Sequence, residues 1–255
     1  MARLRFLLTP RWLGLLASAL LVAATCVRLG IWQLDRLEQR RALNAEIRRG
    51  LAAPPVALES LAGADATDLA YRRVEVTGTY DPEREVLLYG RALNGEPGHH
   101  VLTPLLLERP VDGARAILVD RGWVPFALGT PPVAPAAPPT GAVTVAGFLL
   151  PSPEEADVVI ERAADGRPLT VAHDVPAEIG PELGLALFPL AVQLQRQTPP
   201  QPGELPALVP PPELSEGPHL SYAIQWFTFA TIALVGYVLL VRRELRDRAR
   251  AAATR

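Results

Sequence analysis

WLGLLASALLVAATCVRLGIW, residues 12–32, and SYAIQWFTFATIALVGYVLLV, residues 221–241, decide the fold class of this chain. Each stretch is apolar over a length that can cross about 30 Å of hydrocarbon, which takes roughly 20 helical residues. The first stretch runs beyond the core of a normal signal peptide and lacks a convincing small-residue cleavage site, so we expect a retained helix. The pattern predicts transmembrane helices at 12–34 and 221–241.

The charges around the two stretches indicate which side of the membrane each segment occupies. Two spans return the chain to its starting side, and the tail at 242–255 carries six Arg against two acidic residues, whereas 197–220 carries no Arg. By the positive-inside rule we expect segments 1–11 and 242–255 in the cytoplasm. An Arg cluster at 36–49 argues for the opposite orientation, but long loops weigh less in that rule. We therefore expect a multi-pass protein of the cell membrane, with residues 35–220 outside the cytoplasm.

The residues between the spans predict a β-rich domain. Charged residues and Leu at helical spacing extend the first helix outward to Gly50, so residues 35–70 are expected as a helical extension followed by a loop. From Tyr71 apolar residues recur at every second position, which is typical of half-buried strands. We expect an extracytoplasmic antiparallel sheet that curls toward a barrel, with short helices, over residues 71–197. The strand candidates are 71–81, 84–91, 99–107, 114–126, 142–150 and 189–197.

Three further segments have compositions that restrict their structure. Pro131–Pro139 cannot donate regular ladder hydrogen bonds and is expected as an extended surface loop. Asp174 is expected to cap a short helix that ends at Leu183. Residues 198–220 are expected to form a stiff, Pro-rich spacer before the second span. Cys26, the sole cysteine, lies within the first span, so an apolar core rather than disulfides must hold the domain.

The polar residues of the domain argue against several classes of site. No Ser between the spans has the G-x-S-x-G context of a hydrolase nucleophile. Glu154 and Glu155 lie in a Pro-flanked polar loop, which favours solvation over a catalytic carboxylate pair. His99 and His100 are neighbours on a strand, so they point to opposite faces and cannot easily bind one metal ion. With one Met and one Cys, the chain has too few soft ligands for a copper chaperone. We expect no enzymatic activity and no nucleic-acid partner.

His219, at the start of the second stretch, is followed by aromatic residues at helical spacing. Tyr222 and Trp226 lie three and seven positions further on, so the three side chains share one helical face. A neutral imidazole above aromatic rings is a natural axial ligand for haem iron. The alternative is that His219 is an interface residue bonded to lipid or water, with Tyr222 and Trp226 in the aromatic belt. The residues alone leave both alternatives open.

The outer end of the first stretch holds a second set of candidates. Arg28 either reaches back to the lipid–water interface, as long basic side chains do, or faces the second helix and pairs with an acidic ligand group. Arg28, Trp32 and Arg36 are spaced four apart along one side of the helix. Such a stripe suits membrane lipid head groups or a partner protein.

Six blocks of sequence, in this order along the chain, resemble the Surfeit locus protein 1 family. Every basic residue of the chain is Arg, and Ala and Pro are abundant, which fits a bacterial, actinobacterial-type member and a plasma membrane. Together the blocks extend over the whole architecture, from the first span to the second. They are LGIWQLDR (29–36), YRRVEVTGTYD (71–81), LLYGR (87–91), GHHVLTPL (98–105), VDRGWVPF (119–126) and GPHLSYAIQWFTFA (217–230).

The resemblance implies a non-enzymatic factor that assists the assembly of cytochrome c oxidase. Bacterial relatives are associated with binding haem a on its way from haem a synthase and with its delivery to oxidase subunit one. The family's C-terminal histidine, a proposed haem ligand, falls on His219, and its aromatic neighbours fall on Tyr222 and Trp226. Pro218 stands where many relatives have Asn. A cofactor-free scaffold that docks on oxidase subunits is the alternative.

The same resemblance assigns expected roles to other residues. Arg28 or Arg36 would pair with haem propionates, since charge-assisted pairs favour arginine. The family's Arg-Gly-Trp motif falls on Arg121, Gly122 and Trp123, where we expect a structural turn. In such a turn Gly122 eases the bend and Trp123 packs on the core.

Overall fold

The computed structural model describes residues 2–152 and 160–253. The chain divides into two compact units, which we call the helix pair, Met1–Ala45 with Leu214–Arg255, and the barrel domain, Glu46–Glu213. The carboxylates of Glu154 and Glu155 lie outside the described residues.

The described residues form three α-helices and nine β-strands, joined by turns and short 3₁₀ helices. In chain order the elements are α1 (Pro10–Ala52), β1 (Val56–Ala57), β2 (Arg73–Tyr80), β3 (Val86–Leu93), β4 (Glu96–Val111), β5 (Ala114–Pro125), β6 (Ala142–Leu150), β7 (Ile160–Arg162), β8 (Pro168–Val171), α2 (Pro176–Leu183), β9 (Ala191–Thr198) and α3 (His219–Ala253).

Helices α1 and α3 have the length and composition of membrane spans. Each contains an apolar window with a mean hydropathy of 1.9, and large apolar side chains are exposed along both, among them Leu20, Ile31, Ile232 and Leu239. Such surfaces suit lipid rather than water. Helix α1 continues without a break to Ala52, so the charged extension predicted from the sequence is helical.

Within the helix pair, small residues allow α1 and α3 to approach closely. Ala23, Cys26 and Ala230 form a buried cluster against which Trp226 packs. A Cβ placed on Gly30 would lie 2.8 Å from ring atoms of Phe227, so a larger residue there would require the Phe227 ring to shift. In lipid, close packing of this kind takes over from the hydrophobic effect as the source of helix association.

The barrel domain confirms the predicted barrel-like sheet. Hydrogen-bonded strands follow the order β2–β6–β9–β5–β4, and β4 pairs back with β2 to close a ring. Strand β4 is long enough to serve two partners on that side, because its first part pairs with β3 and a later part with β2. From β3 the sheet continues to β8 and β7. Most pairs are antiparallel as expected, whereas β1–β2, β3–β8 and β5–β9 are parallel.

Strand β5 separates two apolar cores. Ile117 and Val119 pack in the core formed with β2, β6 and β9, whereas Leu118 packs with Ile179 and Leu183 of α2. Alternate side chains of a strand point to opposite faces. A strand that is covered on both faces is therefore apolar at consecutive positions, as β5 is over Ala116–Val119.

The segment Pro131–Pro139 is a loop as predicted, but it is not confined to the surface. Val133 and Ala136 are buried with Leu87 and Val124 in a third apolar cluster. Prolines lack an amide hydrogen, so this segment leaves few backbone donors unpaired when it packs on the sheet.

The predicted cap of α2 is wrong. The helix begins at Pro176, and its N-cap is Val175, which makes no side-chain capping bond. Asp174 lies one position too early to cap this helix. Burial raises the pKa of its carboxyl group, and nearby Asp120 raises it further.

The segment after β9 is held on the sheet as far as Val209 rather than standing free as a spacer. Trp123 and Ala207 exchange two backbone hydrogen bonds of 2.8 Å, and the side chain of Gln193 donates to the carbonyl of Val209 at 3.0 Å. Gly122 lies beneath this contact with φ +131°, and a Cβ on it would collide with the Ala207 carbonyl oxygen. The positive φ and the close approach both require glycine.

We therefore expect Gly122→Ala to destabilise the barrel domain by about 1–3 kcal/mol, from backbone strain together with the collision. Thermal unfolding of the full chain in detergent, followed by far-ultraviolet circular dichroism, measures the change. Gly203→Ala is the matched control, because its Cβ would meet only an ordinary contact, 3.5 Å from the Pro135 carbonyl oxygen. Equal melting temperatures for Gly122→Ala and the wild type would contradict this account of the motif.

Candidate functional site

His219 begins α3, and its side chain is hydrogen-bonded to α1. Its Nδ1 lies 2.8 Å from Oε1 of Gln33, and the pair is partly buried. Among the described residues, none forms a hydrogen bond with Nε2. A Cβ on Gly217 would lie 3.6 Å from Nε2, so the glycine leaves this edge of the ring less covered than another residue would. An imidazole with one nitrogen bonded and the other open has the form of an axial haem ligand.

The backbone that leads into His219 is fixed by polar contacts with α1. Arg41 makes a bidentate pair with Glu216, with both N–O distances 2.9 Å, and Asn44 donates to the carbonyl of Ser215 at 3.1 Å. The Arg41–Glu216 pair is exposed and adds little stability. Its contribution is geometric, because together with Asn44 it sets the register of the segment that enters α3.

The structure places Tyr222 and Trp226 in different surroundings, although both follow His219 on α3. Tyr222 is 46% exposed. The Trp226 ring packs against Cys26 and its neighbours and meets the Phe229 ring edge-on at 5.9 Å. Trp226 therefore contributes to helix packing, while Tyr222 presents its ring to the surroundings.

Arg28, Trp32 and Arg36 lie on the exposed side of α1. The Arg36 guanidinium lies 5.6 Å from the centroid of the Trp32 ring and donates to Gln39 Oε1 at 2.9 Å. No described residue accepts a hydrogen bond from Arg28. The stripe is thus exposed, whereas Gln33, three residues before Arg36, is half-buried where it contacts His219.

Arg121 of the Arg-Gly-Trp motif is fully buried at the centre of a polar network in the barrel domain. Its Nη1 contacts Glu85 Oε2 at 3.4 Å, its Nη2 donates to Gln201 Oε1 at 2.8 Å, and its guanidinium lies 5.2 Å from the centroid of the Tyr80 ring. Glu85 in turn accepts from Thr103 Oγ1 at 2.9 Å and from the Val133 amide at 2.8 Å. The arginine thus connects segments that are distant in sequence.

Burial dominates the electrostatics of this network. It raises the pKa of Glu85, although the Val133 amide, Thr103 and Arg121 oppose the shift. It lowers the pKa of Arg121 and raises the pKa of Tyr80. Each shift disfavours the charged form, so the attraction between Glu85 and Arg121 does not fully offset their desolvation.

The turn predicted at the motif is not present, because its three residues lie within β5, where a register shift against β4 marks a β-bulge. Gly122 has the positive φ that eases the bend, and Trp123 packs over Gly98, where an added Cβ would collide with the indole. The expectation missed the larger role of Arg121. A buried arginine can be inferred from its position in a mostly apolar strand, but its partner Glu85 lies in a polar turn and gives no such signal.

His99 and His100 have different partners. The His99 ring stacks on Phe126 with centroids 5.0 Å apart and lies 5.6 Å from the Tyr89 ring. His100 Nδ1 bonds Asp120 Oδ2 at 2.8 Å. Burial lowers the pKa of His99. Tyr89 and Phe126 are each more than half exposed, so they form an aromatic surface patch on the barrel domain.

Sequence reasoning missed Gln33 as the partner of His219. The signal was present, because Ala23, Cys26, Gly30 and Gln33 recur at spacings of three and four along one face of α1. Three small residues followed by an amide indicate a face that packs on another helix.

Together these features define a class of protein: a closed β-barrel domain between two long apolar helices, with a histidine at the start of the second helix. The model of the SURF1 family matches residues 20–231. The chain belongs to the SURF1 family, and the resemblance seen in its sequence blocks is confirmed.

Individual relatives agree with this assignment. An uncharacterized SURF1-like protein of Mycobacterium tuberculosis is 33% identical over 256 residues, covering 98% of this chain and 90% of the relative. A SURF1-like protein of Monosiga brevicollis is 28% identical, with 90% and 88% covered. One from Rickettsia prowazekii is 26% identical, with 83% of each chain covered. The similarity thus extends over both helices and the barrel domain.

The raised pKa of Glu85 predicts a pH dependence of stability. The fold binds the proton more tightly than the unfolded chain does. The contribution of Glu85 to folding stability is therefore complete below its ordinary pKa of 4.5. This contribution is lost as the pH rises through the raised pKa that Glu85 has in the folded protein. The Glu85→Gln variant cannot ionise at this position, so we expect its stability relative to wild type to improve as the pH rises above 4.5.

Denaturant unfolding of the wild type and of Glu85→Gln across the pH range measures this difference. The control is Glu83→Gln, the same chemical change at an exposed position of the same turn. A stability difference between Glu85→Gln and the wild type that stays constant with pH would contradict the assignment.

Proposed function

We propose that this protein is a non-enzymatic assembly factor for a haem–copper cytochrome c oxidase, and that it holds haem a transiently for insertion into subunit one. The observation that supports the haem site is His219, whose Nδ1 is bonded to Gln33 while Nε2 has no described partner. Membership of the SURF1 family supports the oxidase as the system served.

The helix pair supplies the residues that would hold the cargo. His219 would ligate the iron through Nε2, and the exposed Tyr222 ring would contact the porphyrin. Arg28 or Arg36 would pair with the propionates through charge-assisted hydrogen bonds. Iron ligation supplies the affinity, and a single protein ligand beside lipid suits a carrier that must release its cargo.

We further propose a location in the cell membrane, with both termini in the cytoplasm and the barrel domain outside. Two long apolar helices support the membrane, and the six Arg of the tail support the orientation. This orientation would put His219 at the outer face, where haem a leaving its synthase could reach it.

A cofactor-free scaffold is the second candidate, and one observation favours it. Tyr89 and Phe126 are 53% and 55% exposed, and their rings meet edge-on, with centroids 6.2 Å apart, beside the buried His99 ring. Exposed aromatic residues are enriched where proteins bind one another. In a scaffold this patch would dock on oxidase subunits, and the helices would serve only as anchors.

Optical spectra distinguish the two candidates. The full chain is purified in detergent from cells that also synthesise haem a, as wild type and as His219→Ala. We expect the wild type to carry a haem a absorption band and the variant to lose nearly all of it, because the ligand to iron is gone.

His173→Ala is the matched control, since it removes a partly exposed histidine of the barrel domain, and it should retain the band. A colourless wild-type protein, despite haem a in the same membranes, would refute the carrier and favour the scaffold. Equal haem content in the wild type and His219→Ala would refute His219 as the ligand.

A further inference from the structure

We infer that Gln33 is a positioning residue that selects the tautomer of His219 and so keeps Nε2 available as a ligand atom. The selection of the tautomer follows from the geometry of the helix pair. Its consequence for haem rests on the function proposed above.

The contact between the two side chains determines where the imidazole proton resides. Gln33 Oε1 lies 2.8 Å from His219 Nδ1, and a carbonyl oxygen only accepts hydrogen bonds. Nδ1 must therefore carry the hydrogen and donate it. In the neutral ring the lone pair is then on Nε2. A histidine side chain free in water prefers the opposite neutral tautomer, with the hydrogen on Nε2, so Gln33 acts against the intrinsic preference.

The packing of the helices explains why Gln33 can reach the ring. It follows Gly30 by three residues on the face of α1 that packs on α3, and at Gly30 that face comes within contact of the Phe227 ring. Arg41 and Asn44, further along α1, hold Glu216 and Ser215 just before His219. The imidazole is therefore held from its own backbone and from the facing helix.

An amide is a weaker acceptor than a carboxylate, and this difference is functional. A carboxylate that accepts from Nδ1–H makes the imidazole a stronger ligand, and loss of such a supporting partner typically lowers metal affinity about 10- to 100-fold. Gln33 would orient the ring but would increase its strength as a ligand less than a carboxylate would. Such an arrangement suits a carrier, because tight ligation would oppose release.

A structural alternative gives different results. If the hydrogen bond between Gln33 and His219 served only to pack the two helices, Gln33→Leu would alter stability but not the strength of the ring as a ligand. The direction of the amide also matters. With its NH₂ group toward Nδ1, the ring would carry hydrogen on Nε2 and offer no lone pair there.

Nitrogen NMR of the ring tests the tautomer without any haem. The full chain is labelled with ¹⁵N-histidine in detergent micelles, at a pH where the imidazole is neutral. The chain has four histidines, so the His219 signals are assigned as those missing from His219→Ala. We expect the Nδ1–H form in the wild type and a shift to mostly Nε2–H in Gln33→Leu.

Haemin titration of the same proteins tests the consequence. We expect affinity to fall about 10- to 100-fold in Gln33→Leu and to rise in Gln33→Glu, which keeps an acceptor and strengthens it. Gln225→Leu is the matched control, with the same chemical change at an exposed position of α3. Circular dichroism checks that each variant is folded, and Gln33→Glu remains informative if Gln33→Leu is not.

The outcomes separate the inference from the proposed function. An Nε2–H ring in the wild type, or ring signals unchanged in Gln33→Leu, would overturn the inference. Haemin affinity unchanged in a Gln33→Leu protein with a shifted tautomer would also overturn it. Haemin binding that survives in His219→Ala would instead refute the proposed function and leave the tautomer result standing.

Discussion

The buried pair of Arg121 and Glu85 is the interaction on which the barrel domain depends. Glu85 also accepts the amide of Val133, and Arg121 also reaches Gln201, so the pair connects the start of β3, the middle of the sheet, the Pro-rich loop and the segment after β9. Burial shifts the pKa values of both groups away from the charged form, so the pair is a poor source of net stability. The pair instead specifies where the loops pack on the sheet, because loops without regular hydrogen bonds need a fixed polar partner in the core.

The helix pair follows a different physical rule. Lipid gives apolar helices no reason to associate, so the contact must come from close packing and from polar groups at the ends. Gly30 provides the close approach, and Gln33 with His219, and Arg41 with Glu216, provide the polar ends. His219, the proposed ligand residue, is therefore also one of the groups that join the two helices.

Much of this architecture could be predicted from the sequence, for identifiable reasons. The helices follow from apolar length, β2 and β6 from period two, and β5 from its run of consecutive apolar residues, because these patterns report burial directly. The parallel pairings, the closure of the ring by β4 and the short β7 and β8 depend on contacts distant in sequence, which no local pattern reports. The burial of Val133 and the pairing of Arg121 with Glu85 were not predicted, because polar and Pro-rich segments normally lie on the protein surface.

The sequence blocks that identify the family fall into two physical groups. Arg121, Gly122 and Trp123 hold strands and loops together, so their sequence is explained by folding without reference to any ligand. His219 and Gln33 are different, because an apolar pair of the same shape would pack in lipid at least as well as a histidine bonded to an amide. A polar pair at a position where an apolar one would suffice calls for a chemical reason. The proposed ligation of haem through the open Nε2 would supply that reason, and for this we place the proposed site in the helix pair rather than in the barrel domain.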